Sequence, residues 1–342
     1  MTLGIGFIGA GLAMRDLHVP ALASLGRLGE VRAVAASSQR SSAEAAEWLA
    51  DKGAKTCRPD TVDGILADPT IDVVLVAVPI ALTASVTARV LESQKAALVE
   101  KPIATSTAEA LRLLASARAL DVPLLAGENF RFKAEYKRMK DLATVERIGE
   151  VRVIYWNDLH FTPADGKYAK TSWRIEGEHS GGYLVDGGTH VVAGLRQLSD
   201  QRIVAVHALA TSAREYLSAQ EDTLLINLTY DGGAIGHLAL GYGVFDPDAR
   251  RPKICGTKGT LALLDDGIHL ITESGTELLE KRSTSGGFDD EWALLIEAVG
   301  DAGQREETYR LTLESVRDLQ LIESARESSV AGQPIELEAL GD

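Results

Sequence analysis

An aspartate and a histidine stand four residues apart in the glycine-rich run Ser180–His190. If the chain is helical from Tyr183 onward, this spacing puts Asp186 and His190 on one face of the helix. Imidazole has a pKa near working pH, and a nearby carboxylate can orient it, so the pair suits acid/base chemistry. Glycines weaken a helix unless a ligand or another backbone approaches closely. A purely structural pair is the alternative, and no third His or Cys nearby completes a metal site.

A cluster of glycines lies near the N-terminus, directly after the apolar run Leu3–Ile8. Gly9-Ala10-Gly11 supplies the first two glycines of the dinucleotide-binding fingerprint. Gly9 permits the tight turn, and Gly11 lets a pyrophosphate approach the free N–H groups of a helix N-terminus. Met14 occupies the third fingerprint position instead of Gly or Ala, which predicts looser packing of helix on strand. A glycine-rich turn of any α/β protein is the alternative, but the strand–turn–helix context favours cofactor binding.

The residues after the second predicted strand bear on which nucleotide binds. An NAD site usually carries an acid there, which accepts hydrogen bonds from the ribose hydroxyls. Here the sequence is Ala36-Ser37-Ser38-Gln39-Arg40, with no acid to repel a 2′-phosphate. Two hydroxyls and a guanidinium can bind that phosphate, so the pattern favours NADP over NAD. A polar loop with an ordinary helix cap is the alternative.

A lysine follows another predicted strand, in the tripeptide Glu100-Lys101-Pro102 after Ala97–Val99. In a parallel sheet this is the C-terminal edge, where ligands bind. Lys101 there can bridge a substrate hydroxyl and the nicotinamide ribose, and its charge favours an alkoxide that develops as hydride leaves. By itself, such a tripeptide is more often a solvated turn.

The first half of the chain alternates strands and helices, which predicts an α/β fold with a doubly wound parallel sheet. Ile71–Val78 is apolar on both faces, as a strand covered by helices on both sides requires. The predicted strands are Leu3–Ile8, Val31–Ala36, Ile71–Val78, Ala97–Val99 and Leu124–Ala126. The predicted helices are Val19–Leu28, Ser42–Lys52, Thr61–Ala67, Leu82–Glu92 and Thr107–Leu120.

The second half changes to alternating apolar and polar residues with turn signals between them, which predicts an antiparallel sheet with one covered face. Two helices, Trp292–Val299 and Thr308–Glu327, are predicted near the end of the chain. The predicted strands of the second half are Val151–Asn157, Ile203–Ala210, Thr223–Tyr230, Ala234–Tyr242, Pro252–Cys255, Thr260–Leu264 and Ile268–Ile271. We place the boundary near Gly127. Residues 1–126 then form a dinucleotide-binding domain, and 127–342 form a domain for substrate binding and oligomerisation.

Composition limits the classes of function. A chain of 342 residues suggests two domains, and a net charge of −14 argues against nucleic acid as a partner because phosphates need a basic surface. Two cysteines, Cys57 and Cys255, cannot form a disulfide framework and indicate a reducing cytosol. There is no run of eighteen apolar residues and no signal-peptide pattern. We therefore expect a soluble cytoplasmic protein that binds a small molecule and no membrane.

Taken together, these motifs resemble the Gfo/Idh/MocA family, named for glucose–fructose oxidoreductase, inositol dehydrogenase and rhizopine catabolism. The similar segments occur in family order over most of the chain: GFIGAG at Gly6–Gly11, DVVLVAVP at Asp72–Pro79, EKP at Glu100–Pro102, ENFRF at Glu128–Phe132, GGYLVDGGTH at Gly181–His190 and GTKGTL at Gly256–Leu261. The resemblance implies an N-terminal Rossmann domain and a C-terminal α+β domain with a large open, mostly antiparallel sheet.

The resemblance also implies the roles of the site residues. Lys101, Asp186 and His190 would form the catalytic set, with His190 as general acid/base, Lys101 orienting substrate and ribose, and Asp186 supporting the polar network. It implies a cis Lys101-Pro102 peptide, common in the family. It further implies homodimers or homotetramers that pack the open sheets together, which would cover an apolar face.

Two groups of residues complete the expected site. The cofactor would contact Gly9, Ala10, Gly11, Leu12, Ala13, Ser37, Ser38, Arg40, Ala77, Val78, Pro79, Glu100, Lys101, Pro102, Asn129 and Arg131. The substrate would contact Lys101, Trp173, Arg174, Asp186 and His190. Packing at a domain interface is the alternative for Trp173-Arg174 and Asn129–Phe132.

We therefore expect an oxidoreductase that transfers hydride between NADP, or NAD, and a secondary alcohol or anomeric carbon of a sugar or cyclic polyol. Two departures from the family bear on this: Met14 in the fingerprint, and Ala193 where many members carry an Asp three residues after the His. A cofactor-binding regulatory protein and an enzyme that cleaves glycosidic bonds through transient oxidation by tightly held NAD remain alternatives.

Overall fold

The computed structural model describes residues 2–166, 182–217, 221–247, 249 and 251–341. The chain divides into two compact units. The first takes the chain up to Phe132 together with Gly286–Val316, and the second comprises Lys133–Ser285 and Arg317–Gly341. The division into functional domains at residues 126 and 127 stays a prediction.

The first unit contains a six-stranded sheet in which every neighbouring pair is parallel, in the order β3-β2-β1-β4-β5-β6. This confirms the predicted doubly wound sheet. All residues of the first and fourth strands are buried, as their apolar sequences require. The strands are β1 (Ile5–Ile8), β2 (Val31–Ala35), β3 (Arg58–Pro59), β4 (Val73–Val76), β5 (Ala96–Glu100) and β6 (Leu124–Gly127).

Five helices connect these strands, and side chains cap three of them. Ser38, Thr61 and Ser106 each accept a hydrogen bond from the backbone N–H three residues later, which satisfies a helix-end donor. The helices are α1 (Val19–Ser24), α2 (Gln39–Lys52), α3 (Val62–Ala67), α4 (Ile80–Glu92) and α5 (Thr107–Leu120).

The first helical segment differs from the prediction of Val19–Leu28. It begins with a π-helical turn, Met14–His18, in which the Val19 N–H donates to the Met14 carbonyl five residues earlier. The α-helix then ends at Ser24, because Gly26 turns the chain with φ of +69°. Met14 is fully buried in the core, so the fold accommodates the large side chain at the third fingerprint position.

The second unit contains a nine-stranded sheet in the order β14-β13-β12-β11-β7-β10-β9-β8-β15. All pairs are antiparallel except β10 with β7, which confirms the mostly antiparallel prediction. Its strands are β7 (Val151–Leu159), β8 (Ile203–Thr211), β9 (Thr223–Tyr230), β10 (Ile235–Gly241), β11 (Lys253–Gly256), β12 (Thr260–Leu263), β13 (Gly267–Thr272), β14 (Gly275–Lys281) and β15 (Ile335–Glu336).

One face of this sheet leaves apolar side chains exposed. Leu209 of β8 pairs with Leu225 of β9, and their exposures are 67% and 42%. Ile235 of β10 is exposed at 59%. In β9, the residues that alternate with the exposed ones are buried, as expected for a sheet with one covered face.

Among the residues that the structure describes, three helices lie wholly within the second unit: α6 (Ala134–Leu142), α7 (Val145–Ile148) and α8 (Gly182–Arg196). Near the C-terminal end of the chain follow α9 (Phe288–Ala298), in the first unit, and α10 (Ala302–Ala331), which passes from the first unit to the second after Val316. Both cysteines are free thiols. Within the described ranges, every helix is too short or too polar to cross a bilayer.

Candidate functional site

The glycine turn after β1 has the geometry of a nucleotide cradle. Gly9 has φ of +111°, and its N–H donates to the Ala35 carbonyl at 2.8 Å. A Cβ at Gly9 would lie 2.0 Å from the Ala77 carbonyl oxygen, so a side chain does not fit there. A Cβ at Gly11 would meet no described atom within 4 Å, so open space lies above the helix N-terminus. Arg15 closes the turn, because its Nε donates to the Ala10 carbonyl at 3.3 Å.

The sheet order places further predicted cofactor residues at the same edge. The order reverses between β1 and β4, and ligands of doubly wound sheets bind at such switch points, beyond the carboxyl ends of the strands. Because all six strands are parallel, the segments that follow them emerge at that edge. These segments are Gly9–Ala13, Ala36–Arg40, Ala77–Pro79, Glu100–Pro102 and Asn129–Arg131. The Lys101-Pro102 peptide is cis, as the family resemblance implies.

The segment after β2 combines a helix cap with an exposed cation. The Ser38 side chain accepts a hydrogen bond as the N-cap of α2. Ser38 is therefore a helix cap, which was the alternative to phosphate binding. The Arg40 guanidinium is 88% exposed and its Nε donates to Glu44 Oε1 at 2.8 Å. An exposed pair of this kind contributes little to stability, so Arg40 can exchange Glu44 for a phosphate at small cost.

A buried polar group lies at the end of β5, and its histidine, His18, is not among the site residues predicted from the sequence. His18 is fully buried, and its Nε2 lies 2.8 Å from Glu100 Oε1. The Trp292 indole N–H donates to His18 Nδ1 at 3.2 Å. His18 and Trp292 are 274 residues apart, so no local pattern links them.

Glu291 lies beside this group on α9, fully buried, and neither of its carboxyl oxygens has a hydrogen-bond partner among the described atoms. Burial, reinforced by the carboxylates of Glu100, Glu128 and Asp290, raises the pKa of Glu291 well above its ordinary 4.5. At pH values between 4.5 and this raised pKa, the folded protein therefore keeps a proton on Glu291 that the unfolded chain releases.

This predicts a stability that falls with pH. From pH 4.5 up to the raised pKa of Glu291, the folded state binds more protons than the unfolded state, so Glu291 lowers the free energy of unfolding by up to about 1.4 kcal/mol per pH unit. Glu291→Gln should remove this slope and raise Tm relative to the parent toward pH 8. Melting curves between about pH 5 and pH 8 measure it. Glu297→Gln, a substitution at an exposed position of the same helix, is the control. If Tm depends on pH in Glu291→Gln as it does in the parent, the raised pKa of Glu291 is contradicted.

In the second unit, α8 brings Asp186 and His190 to one helical face, as the spacing predicts. Both are half-buried. Two glycines between them let neighbouring side chains approach the helix backbone closely. A Cβ at Gly187 would lie 2.2 Å from the Tyr242 hydroxyl oxygen, and a Cβ at Gly188 would lie 3.0 Å from the Leu240 side chain. The glycines therefore let β10 and the residue after it pack directly on the helix that carries the proposed acid/base pair.

Tyr242, which follows β10, is the centre of an aromatic group next to this helix. Its ring packs edge-on against His160 at 4.7 Å between centroids and lies 5.7 Å from the ring of Tyr183. His160 Nδ1 lies 3.7 Å from a carboxylate oxygen of buried Asp158. The hydroxyl of Tyr242 lies close to Gly187, which stands between Asp186 and His190 in the sequence. Tyr242 is not among the site residues predicted above.

Two predicted substrate contacts, Trp173 and Arg174, lie outside the described residues. Lys101 belongs to the first unit, and Asp186 and His190 belong to the second. Their joint action as a catalytic set stays a prediction.

Comparison with known proteins agrees with both halves of this description. Residues 3–128 match the oxidoreductase family with an NAD-binding Rossmann fold, and residues 136–262 match the GFO/IDH/MocA C-terminal domain. Dehydrogenase FPY6 of Fusarium mangiferae is 28% identical over 94% of this chain and 95% of its own. The 1,5-anhydro-D-fructose reductase of Ensifer adhaerens is 27% identical over 82% of this chain and 80% of its own.

An oxidoreductase from Thermotoga maritima shows the same fold in its crystal structure, with a TM-score of 0.87 and 23% identity over 98% of both chains. The sheet topologies, the glycine turn and the two matched domain families occur together in one chain. It therefore belongs to the Gfo/Idh/MocA family of NAD-binding oxidoreductases.

Proposed function

We propose that the protein is an NADP-preferring dehydrogenase or reductase for a secondary alcohol or anomeric carbon of a sugar or cyclic polyol. The observation that carries this proposal is the pair Asp186 and His190 on one face of α8, half-buried and packed beside Tyr242 through Gly187. The name of the Ensifer adhaerens relative, a reductase of an anhydro sugar, supports the substrate class.

The residues of the first unit fit a dinucleotide. The tight turn at Gly9 and the open space over Gly11 suit a pyrophosphate at the helix N-terminus. The remaining contacts would come from the segments after β2, β4, β5 and β6, among them Ala77–Pro79, Asn129 and Arg131. When bound, nicotinamide supplies a hydride acceptor or donor.

The polar side chains would then do the proton chemistry. His190 would take the hydroxyl proton during oxidation and return it during reduction. Asp186, one helical turn earlier, would orient the imidazole. The Lys101 ammonium would bind the reacting oxygen and stabilise negative charge on it. Trp173, Arg174 and Tyr242 would contact the rest of the substrate.

A panel assay tests the function. Purified protein is mixed with NADP+ or NAD+ and a series of aldoses, inositols and other cyclic polyols, and the absorbance of reduced cofactor is followed. The reverse reaction is run with NADPH and the corresponding ketoses and inososes. We expect turnover with at least one member. Silence across the panel in both directions would contradict the proposal.

The two alternatives give different results in the same experiment. A regulatory protein would bind the nucleotide tightly without turnover. An enzyme that cleaves glycosides through transient oxidation would retain bound NAD through purification and release sugar without net reduction. The exposed guanidinium of Arg40 and the lack of an acid in Ala36–Arg40 favour exchangeable NADP over permanently held NAD.

Cofactor selectivity should depend on Arg40. Arg40→Ala removes the proposed charge-assisted hydrogen bonds to the 2′-phosphate, so Kd for NADP+ should rise roughly tenfold or more while Kd for NAD+ stays nearly constant. Calorimetric titration with both nucleotides measures this. Glu44→Gln is the matched variant, because it frees the Arg40 guanidinium and should tighten NADP+ binding. Equal changes for both nucleotides in Arg40→Ala would contradict the role of Arg40.

We also propose that a second copy of the chain covers the exposed sheet face, forming a dimer or tetramer. Leu209, Leu225 and Ile235 expose an apolar surface there that a partner sheet would remove from water.

Leu225→Lys should raise the dimer dissociation constant by about 100-fold or more, because it buries an unpaired charge at the interface. Light scattering across a dilution series measures it. Val330→Lys, at a 90% exposed position of α10, should leave the association unchanged. A wild-type monomer at all concentrations would contradict the proposal.

A further inference from the structure

The network around His18 has a defined direction. The Trp292 indole nitrogen can only donate, so His18 Nδ1 accepts the hydrogen bond of 3.2 Å. A neutral imidazole then carries its hydrogen on Nε2, which lies 2.8 Å from Glu100 Oε1. The chain of donors therefore runs from Trp292 through His18 to the Glu100 carboxylate, and Trp292 selects the tautomer that makes the second bond.

The surroundings hold this imidazole in one orientation. His18 is fully buried, and the rings of Phe288 and Trp292 pack on it edge-on, at centroid distances of 6.0 and 5.9 Å. The π-helical turn Met14–His18 ends at His18. Such turns are rare and often occur at functional sites. The side chain of Glu100 is 16% exposed, so its inner oxygen is bonded to His18 while the group still reaches the edge of the sheet.

The position of Glu100 connects this buried network to the proposed catalysis. Glu100 is the last residue of β5, and Lys101 follows it directly. Because the hydrogen bond to His18 anchors Glu100 at the end of β5, it also restrains the backbone from which the Lys101 side chain extends. An error of about 1 Å in the placement of a catalytic group can lower a rate by about 100-fold.

We propose that His18 is a positioning residue for Lys101, which it holds in place through the Glu100 carboxylate, with Trp292 fixing the required tautomer. This rests on the proposed role of Lys101 in catalysis. His18 itself contacts neither substrate nor cofactor in this account.

Three variants test the network. His18→Leu removes both hydrogen bonds and keeps the apolar volume, His18→Gln retains a donor toward Glu100, and Trp292→Phe removes only the indole donor. We expect kcat to fall by about 10- to 100-fold in His18→Leu with KM for the cofactor within about threefold of wild type. His18→Gln should recover most of kcat, and Trp292→Phe should fall between the two. Ser24→Ala is the matched control, since it removes a different hydrogen bond between α1 and α9, to Asp289, and should leave kcat unchanged.

A double-mutant cycle separates positioning of Lys101 from a general effect on folding. In a Lys101→Met background, His18→Leu should cause no further loss of kcat, because the group that His18 positions is already gone. Equal fold-losses in both backgrounds would overturn the proposal. Where His18→Leu fails to fold, the same cycle is run with Trp292→Phe.

A readout without turnover distinguishes this inference from the proposed function. The rate at which an acylating reagent labels Lys101, relative to the other lysines, is measured by mass spectrometry in wild type and His18→Leu. We expect a several-fold change confined to Lys101. An unchanged labelling rate overturns the role of His18, whatever the activity, whereas a changed rate in a protein for which Lys101→Met leaves turnover intact supports the positioning role and contradicts the proposed function.

Discussion

His190→Ala is expected to lower kcat by about 10²- to 10⁴-fold, the usual contribution of a positioned acid/base group. His190 stands one turn after Asp186 on α8, so its loss removes the proposed proton acceptor while the helix and its glycine contacts remain. Cofactor affinity should stay close to wild type, because the nucleotide cradle lies in the first unit. Steady-state kinetics and a titration with NADP+ measure the two quantities.

His269→Gln provides a matched control for this variant. His269 Nε2 also lies close to an aspartate, 2.7 Å from Asp266 Oδ1, but on β13 and outside the proposed site. Its loss should leave kcat unchanged. If turnover survives His190→Ala, or falls equally in His269→Gln, the role of His190 as acid/base is wrong.

Gly9→Ala is expected to weaken cofactor binding strongly and to destabilise the first unit. Gly9 has φ of +111°, which L-residues rarely adopt, and the added Cβ would lie 2.0 Å from the Ala77 carbonyl oxygen. The backbone at the switch point of the sheet must move to make room for this Cβ. We therefore expect the free energy of unfolding to fall by about 3 kcal/mol or more, and Kd for NADP+ to rise by at least about 100-fold. Denaturant titration and calorimetry measure both.

Gly11→Ala separates the two effects at the same turn. A Cβ there meets no described atom within 4 Å, so stability without cofactor should match the parent. The methyl group would nevertheless stand where the pyrophosphate is proposed to approach, and Kd for NADP+ should rise by about 10-fold or more. Unaltered NADP+ affinity in Gly11→Ala would place the pyrophosphate elsewhere.

The sequence predicted most of the strands because their signals are local. The parallel sheet followed from runs such as Ile71–Val78, apolar on both faces, and the second sheet from alternating strands such as Thr223–Tyr230. Strand β14, Gly275–Lys281, was missed because its residues are mostly exposed and polar, as is common for an edge strand. The extent of the first helix was missed because a π-helical turn at Met14–His18 has no simple residue pattern.

In the candidate site, too, features with local sequence signals were predicted and contacts between distant segments were not. The glycine turn and the spacing of Asp186 and His190 carry their geometry within a few residues, so the sequence predicted both. The contact of Tyr242 with Gly187 and the bond between Trp292 and His18 join segments far apart in the chain. The glycines of α8 were the one signal of the first contact, since they indicated a close neighbour without identifying it. Nothing local to His18 indicated its partners.

Following the hydrogen itself tests the proposed hydride transfer most directly. The substrate found in the panel is prepared with deuterium at the proposed reacting carbon, and the reduced cofactor is analysed by mass spectrometry and NMR. We expect one deuterium at C4 of the nicotinamide for each substrate oxidised, and at least about 100-fold less labelled cofactor from His190→Ala over the same time. Reduced cofactor without deuterium, or substrate turnover without net cofactor reduction, would contradict it.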